Sequence, residues 1–125
     1  MSKEIIVSAL AKTWLLDIDG TICKHNGYKI DGYDSLLPGA KEFFQSINPN
    51  DKVIFITSRS REYAEATEAF LKAHGIYWDE IVYELPYGER ILINDRKPSG
   101  LKTSIGVNTE RDVLMQEKFV IDPKL

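Results

Sequence analysis

The chain has 125 residues, 43% of them hydrophobic and 28% charged, with a formal net charge of −3. This length suits one domain with one core, so we predict a single domain over residues 1–125. Dedicated nucleic-acid-binding proteins are usually basic, so the mild acidity argues against that class, although it permits a phosphorylated substrate at one local site. A lone cysteine excludes an internal disulfide and indicates a reducing, cytoplasmic compartment.

The apolar segments are too short to suggest a membrane helix. None reaches the ~18 apolar residues that such a helix needs, so we expect no membrane partner. Residues 5–11 resemble the apolar core of a signal peptide, but the run is very short and no clear small-residue cleavage site follows it. The next apolar run leads directly into Asp17, and its removal would destroy the best predicted strand.

Strands and helices alternate along the first half of the chain. Residues 13–18 form a near-continuous apolar run, which is typical of a buried parallel strand. The polar segment 23–36 contains an Asn-Gly pair, a strong turn signal, so we predict a small β-hairpin there. Pro38 opens an amphipathic helix that ends in the turn residues 48–51.

The alternation continues through the second half. Residues 53–56 are a second buried strand, Ser60 caps the helix that follows, and Gly75 ends that helix. Shorter apolar runs predict three more strands, at 81–83, 91–93 and 103–107. Apolar strands separated by helices predict an α/β fold with a doubly wound, mostly parallel sheet.

Polar side chains follow three of the predicted strands. Asp17 and Asp19 follow the first strand, Thr57 and Ser58 the second, and Asp95 the fourth. The carboxyl ends of parallel strands share one edge of a sheet, and ligands bind there. Three carboxylates at that edge repel one another unless a cation lies between them, and Mg²⁺ is the usual choice beside phosphate. Each of these three polar segments alone is more often a turn or a helix cap. Their order along the chain, taken together, favours phosphoryl transfer.

The same segments resemble motifs of the haloacid dehalogenase superfamily of phosphatases. Residues 17–21 resemble its first motif, 54–59 its second and 91–96 its fourth. The resemblance extends over residues 13–107, nearly the whole chain, and implies the Rossmann-like core of that superfamily.

The resemblance implies a role for each site residue. Asp17 would attack phosphorus to form an aspartyl-phosphate, and Asp19 would protonate the leaving oxygen and then deprotonate water. Thr57 and the main-chain N–H of Ser58 would bind the phosphoryl group. The Mg²⁺ ligands would be the Asp17 carboxylate, the Asp19 main-chain carbonyl and Asp95. An acid at position 19 implies a phosphatase rather than a dehalogenase.

The chain departs from the family pattern at the third motif, a lysine that bridges the nucleophile and the phosphate. Residues 84–90, where short members often carry it, contain no lysine. Arg90 is the first candidate for this phosphate-binding role and Lys97 the second, and Arg90 could instead be a solvated residue at a strand start. Asn94 stands where many relatives have Gly or Asp, which predicts weaker metal binding.

Relatives often carry a cap domain, and both places for it are short here. Residues 21–38 hold only the predicted hairpin, and residues 84–90 cannot form a domain. We therefore expect a capless enzyme whose site is covered by a large substrate or by a second copy in a homo-oligomer, with the hairpin as the specificity element.

The sequence thus predicts a Mg²⁺-dependent phosphatase that hydrolyses a phosphate monoester. Sugar phosphates, nucleotides and phosphorylated polynucleotide ends all stay open as substrates. One alternative is a catalytically weak phosphate-binding or regulatory module, which the altered third motif favours. Another is an enzyme that transfers the phosphoryl group to an acceptor other than water.

Overall fold

The computed structural model describes residues 3–114 and 117–125, which form two compact units. The larger unit contains Ala11–Tyr87 and Thr109–Leu114. The smaller unit is drawn from Met1–Leu10, Gly88–Asn108 and Met115–Leu125. A single domain over the whole chain stays a prediction.

The described residues contain strands and short helices in alternation. The strands are β1 (Glu4–Val7), β2 (Thr13–Leu16), β3 (Lys52–Ile56), β4 (Glu80–Val82) and β5 (Lys118–Ile121). The α-helices are α1 (Gly27–Ile30), α2 (Ala40–Gln45) and α3 (Ala64–Ala73), and a 3₁₀ turn at Arg61–Tyr63 precedes α3. No helix among the described residues is long and apolar enough to cross a membrane.

The larger unit is built on a three-stranded parallel sheet with the order β2-β3-β4. All three strands lie in segments that the apolar runs predicted. The α/β class with parallel strands is therefore confirmed. The helix ends also follow the sequence signals. The Ser60 hydroxyl accepts a hydrogen bond from the Glu62 N–H at 3.4 Å, and Gly75, at φ +71°, follows the last turn of α3.

The core of the larger unit lies where β3 meets the loop after β2 and helix α3. Ile18, Phe55 and Leu71 are fully buried there. Phe44, near the end of α2, packs against Phe55 with 5.8 Å between the ring centroids. Burying each large apolar side chain stabilises the fold by about 1.5–3 kcal/mol. The core therefore fixes the loop after β2, which carries the first motif.

The smaller unit contains a parallel pair formed by β1 and β5. Ile5 lies opposite Phe119 in this pair. The segment that resembled a signal-peptide core thus supplies a strand, which the sequence pattern did not predict. The pairing joins segments from opposite ends of the chain, so no local pattern could indicate it.

The predicted strands at 91–93 and 103–107 are wrong, because the structure has no strand anywhere in residues 88–108. Ile91 and Ile93 are 83% and 90% exposed. Apolar, β-branched side chains favour a strand only where a neighbouring strand pairs with the backbone. The strand pair of the smaller unit is instead made by β1 and β5.

The predicted hairpin within residues 23–36 is reduced to a single antiparallel bridge between Cys23 and Leu36. Between these residues the chain makes the one-turn helix α1. Asn26 does adopt a left-handed conformation, at φ 54°. The Asn-Gly signal therefore located the reversal of the chain but not its type, since a left-handed residue can also precede a helical turn.

Candidate active site at the ends of strands β2 and β3

The site is positioned by the parallel register of β2 and β3. Leu16 at the end of β2 lies opposite Phe55, one residue before the end of β3. The segments that begin at Asp17 and Thr57 therefore leave the sheet at the same edge. This brings the first and second motifs together, as expected from the sequence.

The loop after β2 is held by one buried residue. Ile18 is fully buried, and its carbonyl oxygen accepts main-chain hydrogen bonds from residues 21, 22 and 23 at 3.1–3.3 Å. Asp17 and Asp19 flank Ile18 and are both half-buried. Gly20 follows at φ +78°, a conformation that side chains rarely adopt, so a glycine suits this turn.

Arg59 is the centre of a buried network at this edge. Its Nε and Nη2 donate to the two carboxylate oxygens of Asp19, both at 2.9 Å. Its Nη1 and Nη2 donate to the two oxygens of Asp34, at 2.9 and 2.7 Å. Nη1 also donates to the Thr67 hydroxyl at 2.9 Å, and Nη2 lies 3.5 Å from the Cys23 sulfur. One guanidinium thus makes two bidentate ion pairs.

Burial makes these ion pairs strong and costly to disturb. The side chains of Arg59, Asp34 and Asp19 are 1%, 5% and 15% exposed. Burial disfavours the charged guanidinium, but the hydrogen bonds and charges of Asp34 and Asp19 outweigh it, so the pKa of Arg59 lies above its ordinary value. The Tyr28 ring covers the guanidinium, with its centroid 4.1 Å from Cζ.

The network also ties the segment after the first motif to the sheet. Asp34 lies near the end of that segment, and Tyr28 lies in α1. Tyr28 packs on Arg59 and, at 4.8 Å between ring centroids, on Tyr63. Tyr33 is exposed by contrast, so of these two tyrosines Tyr28 is the one that fastens the segment down.

Asp19, Cys23 and Asp34 form a cluster that could hold a metal ion, since their ligand atoms lie within 4.8 Å of one another. The Arg59 guanidinium already supplies the positive charge between the two carboxylates. Burial, reinforced by the charge of Asp34, also raises the pKa of the Cys23 thiol, which keeps it protonated and a poor ligand. A metal ion could bind here only if Arg59 left.

The donors assigned to Mg²⁺ from the sequence include the Asp19 main-chain carbonyl. Among the described residues, no main-chain N–H donates to that oxygen, whereas the neighbouring Ile18 carbonyl accepts three hydrogen bonds. Together with the Asp17 carboxylate it is an oxygen donor of the kind that Mg²⁺ prefers. The residues present at the end of β2 therefore fit this metal.

The second motif forms a compact loop that stabilises itself. Thr57 is fully buried, and its hydroxyl accepts from the Arg59 N–H at 3.1 Å. The Ser58 hydroxyl donates to the Pro86 carbonyl at 3.4 Å. The Glu84 N–H donates to the Arg59 carbonyl at 2.9 Å, which joins the loop to the segment after β4. Phosphate binding by Thr57 and Ser58 stays a prediction.

Three other predicted residues, Arg90, Asp95 and Lys97, belong to the smaller unit. All three are exposed. The Arg90 guanidinium donates to the Gly88 carbonyl at 3.4 Å, and the Asp95 carbonyl accepts from the Thr103 hydroxyl at 2.6 Å. Their roles toward phosphate and metal stay predictions.

Asp34 and Arg59 have no role among the predictions made from the sequence. Arg59 ends the second motif, so its position beside the site was available from the motif itself. Asp34 lies 25 residues earlier in a polar segment that offers several acidic and aromatic side chains. No spacing rule selects it as the partner.

Comparisons with known proteins give one match. No protein-family model matches the chain, and no curated protein is significantly similar to it. A chain in the solved structure of a Pnkp1/Rnl/Hen1 complex is 25% identical, with a TM-score of 0.52. The match covers 68% of this chain and 32% of that chain, so this chain spans about a third of the length of its structural neighbour.

Proposed function

We propose that this protein is a Mg²⁺-dependent phosphatase that hydrolyses a phosphate monoester through an aspartyl-phosphate. The observation that carries the proposal is the placement of Asp17 and Asp19 directly after β2, beside the Thr57–Arg59 loop at the end of β3. The motif resemblance to haloacid dehalogenase phosphatases supports the same reaction. A cytoplasmic location is proposed from the single cysteine alone.

The proposed reaction has two chemical steps, carried out by Asp17 and Asp19. An Asp17 carboxylate oxygen forms a bond to phosphorus while the bond to the leaving oxygen breaks, and Asp19 gives that oxygen a proton. Asp19 then takes a proton from water, which attacks phosphorus, releases inorganic phosphate and restores the Asp17 carboxylate. Bound Mg²⁺, held by Asp17 and the Asp19 carbonyl, would supply positive charge for the phosphoryl oxygens.

We propose a phosphorylated polynucleotide end as the substrate. The likeness to a chain of a Pnkp1/Rnl/Hen1 complex does not name a substrate, so this proposal rests on the openness of the site. The short segment between the first motif and α2 leaves no room for a separate cap domain in that stretch. An open site of this kind would accept the end of a long chain, or a second copy of the protein would cover it.

Phosphate release from a panel of substrates tests the proposal. We expect Mg²⁺-dependent release from oligonucleotides with a 3′- or 5′-terminal phosphate, and slower release from sugar phosphates and an aryl phosphate. Asp17→Asn protein prepared in parallel controls for contaminating phosphatases. Release that is equal with and without Mg²⁺, or unchanged in the variant, would contradict the enzyme assignment.

A second candidate function is a phosphate-binding module with little turnover. It is favoured by one observation, namely that Arg59 donates to both carboxylate oxygens of Asp19. Both oxygens therefore serve a structural ion pair rather than a substrate. Binding of inorganic phosphate by a protein that releases none from any substrate would identify the module.

Asp19→Asn should lower the rate by roughly 10²–10⁴, the usual contribution of general acid–base catalysis. The loss should be smaller for aryl phosphates, because a good leaving group needs less protonation. Mg²⁺ dependence should persist, since the proposed ligand at this position is the main-chain carbonyl. Equal losses for aryl and alkyl phosphates would argue against the acid role. The variant also weakens the pair with Arg59, so rates are compared below its unfolding transition.

The motif resemblance implies that Asp95 is a Mg²⁺ ligand, and Asp95→Ala should then raise the Mg²⁺ concentration that gives half-maximal activity. A Mg²⁺ titration of the rate measures this. Glu89→Ala, which removes another exposed carboxylate of the smaller unit, is the matched control. An unchanged titration would show that Asp95 is not a ligand.

A further inference from the structure

A short segment late in the chain packs against the first motif. Thr109–Leu114 belongs to the larger unit, although the residues on both sides of it belong to the smaller unit. The Asp112 N–H donates to the Gly20 carbonyl at 2.8 Å, and the Asp112 carboxylate accepts from the His25 N–H at 2.6 Å. Asp112 holds a left-handed conformation, at φ 63°, which is uncommon for a residue with a side chain. The segment is therefore firmly attached to the loop after β2.

This attachment places the side chain of Arg111 at the site. Its Cγ lies 3.3 Å from the point where a Cβ on Gly20 would be, so the arginine stem lies across the residue that follows Asp19. The guanidinium is three bonds beyond that Cγ. Arg111 is exposed, and among the described residues its guanidinium makes no salt bridge or side-chain hydrogen bond. It is a cation available to a ligand.

The charges at the edge of the sheet show why such a cation is needed. The Arg59 guanidinium is buried and faces two carboxylates, so it has no charge left for a phosphate. With Asp17 nearby, the surroundings are acidic and repel a phosphate dianion. A planar guanidinium with several donors matches phosphate oxygens in charge and in geometry.

We propose that Arg111 binds the phosphate group of the substrate, a proposal that rests on the proposed phosphatase function for its ligand. Arg111 is then a binding residue supplied by the segment attached to Gly20, and Arg59 stays paired with Asp19 and Asp34. Conservative replacement by lysine keeps the charge but loses the planar fork, so Arg111→Lys should bind phosphate better than Arg111→Gln but less well than the native protein.

Calorimetric titration of inorganic phosphate into the full-length protein with Mg²⁺ tests the proposal. We expect Arg111→Gln to weaken phosphate binding at least tenfold. The affinity of the native protein should fall as salt is added, and that of Arg111→Gln should fall less steeply because one charged contact is gone. The control is Lys72→Gln, which removes an exposed cation elsewhere, on α3. It should bind phosphate like the native protein. Thermal melting checks that the variants are folded.

Each result separates this proposal from the proposed function. Native affinity in folded Arg111→Gln overturns the role of Arg111, even if the native protein is a phosphatase. A tenfold loss supports it, even if the native protein binds phosphate without hydrolysing any ester. A loss in Arg90→Gln with none in Arg111→Gln assigns the contact to Arg90 instead. No phosphate binding by the native protein overturns the role of Arg111, whereas phosphate release from the oligonucleotide panel decides the proposed function on its own.

Discussion

Replacing Arg59 with methionine should lower the free energy of unfolding by about 3–5 kcal/mol, the usual cost of removing one partner from a buried ion pair. The substitution leaves the carboxylates of Asp19 and Asp34 facing each other with no cation between them. It also leaves the Thr67 hydroxyl and the Tyr28 ring without the group that they contact. Urea denaturation followed by the signal of the two tryptophans measures the change.

Arg61→Met is the matched control, because Arg61 is an exposed arginine only two residues later, at the start of the 3₁₀ turn. Its removal should change stability by no more than about 0.5 kcal/mol. The double variant Arg59→Met, Asp34→Asn should be more stable than the sum of the two single effects predicts, because it removes one of the two unpaired carboxylates. Additive effects, or a loss in Arg59→Met no larger than in Arg61→Met, would show that the network contributes little to stability.

The network gives Asp19 a structural role beside its proposed chemical one. Both of its oxygens accept from Arg59, so the carboxylate helps to hold the network together. The proposed acid step asks the same carboxylate to reach the leaving oxygen. Asp34 also pairs with Arg59 and so helps to fix the guanidinium that orients Asp19. Asp34→Asn should therefore disturb the same step without touching the reacting group.

The elements that the sequence predicts correctly are those with strong local signals. The apolar runs before Asp17 and Thr57 become the parallel neighbours β2 and β3, since long buried runs have few alternatives. Ser60 caps the 3₁₀ turn that precedes α3, and Gly75 follows the last turn of α3 in a left-handed conformation. These signals were enough to place the first two motifs at one edge of the sheet.

The remainder depends on partners that are distant along the chain. The run at 91–93 has the side chains of a strand but no paired neighbour, whereas β1, overlooked in the sequence, finds one in β5. The Asn-Gly pair permits either a hairpin or a helical turn. The structure has the helical turn, and with it Arg59 contacts Tyr28 and Asp34. Pairings of this kind are decided by packing and charge in three dimensions, which a single sequence does not display.

Asp17→Asn should abolish turnover while the protein stays folded. The amide nitrogen is not a nucleophile and the side chain keeps its size, so no aspartyl-phosphate can form. Asp17 is half-buried directly after β2, and asparagine keeps its size and can still accept hydrogen bonds, so the effect on stability should be far smaller than that of Arg59→Met. Single-turnover assays with a phosphorylated oligonucleotide and with an aryl phosphate measure the rate, and urea denaturation measures the stability.

The comparison with Arg59→Met separates a chemical loss from a structural one. Asp17→Asn should lose activity at full stability, whereas Arg59→Met should lose stability, and with it any activity that depends on the position of Asp19. Acid quenching during turnover should trap phosphate on the native chain and none on Asp17→Asn, because the acyl phosphate forms on that carboxylate alone. Trapped phosphate on the variant, or a rate above a few per cent of native, would assign the nucleophile to another residue.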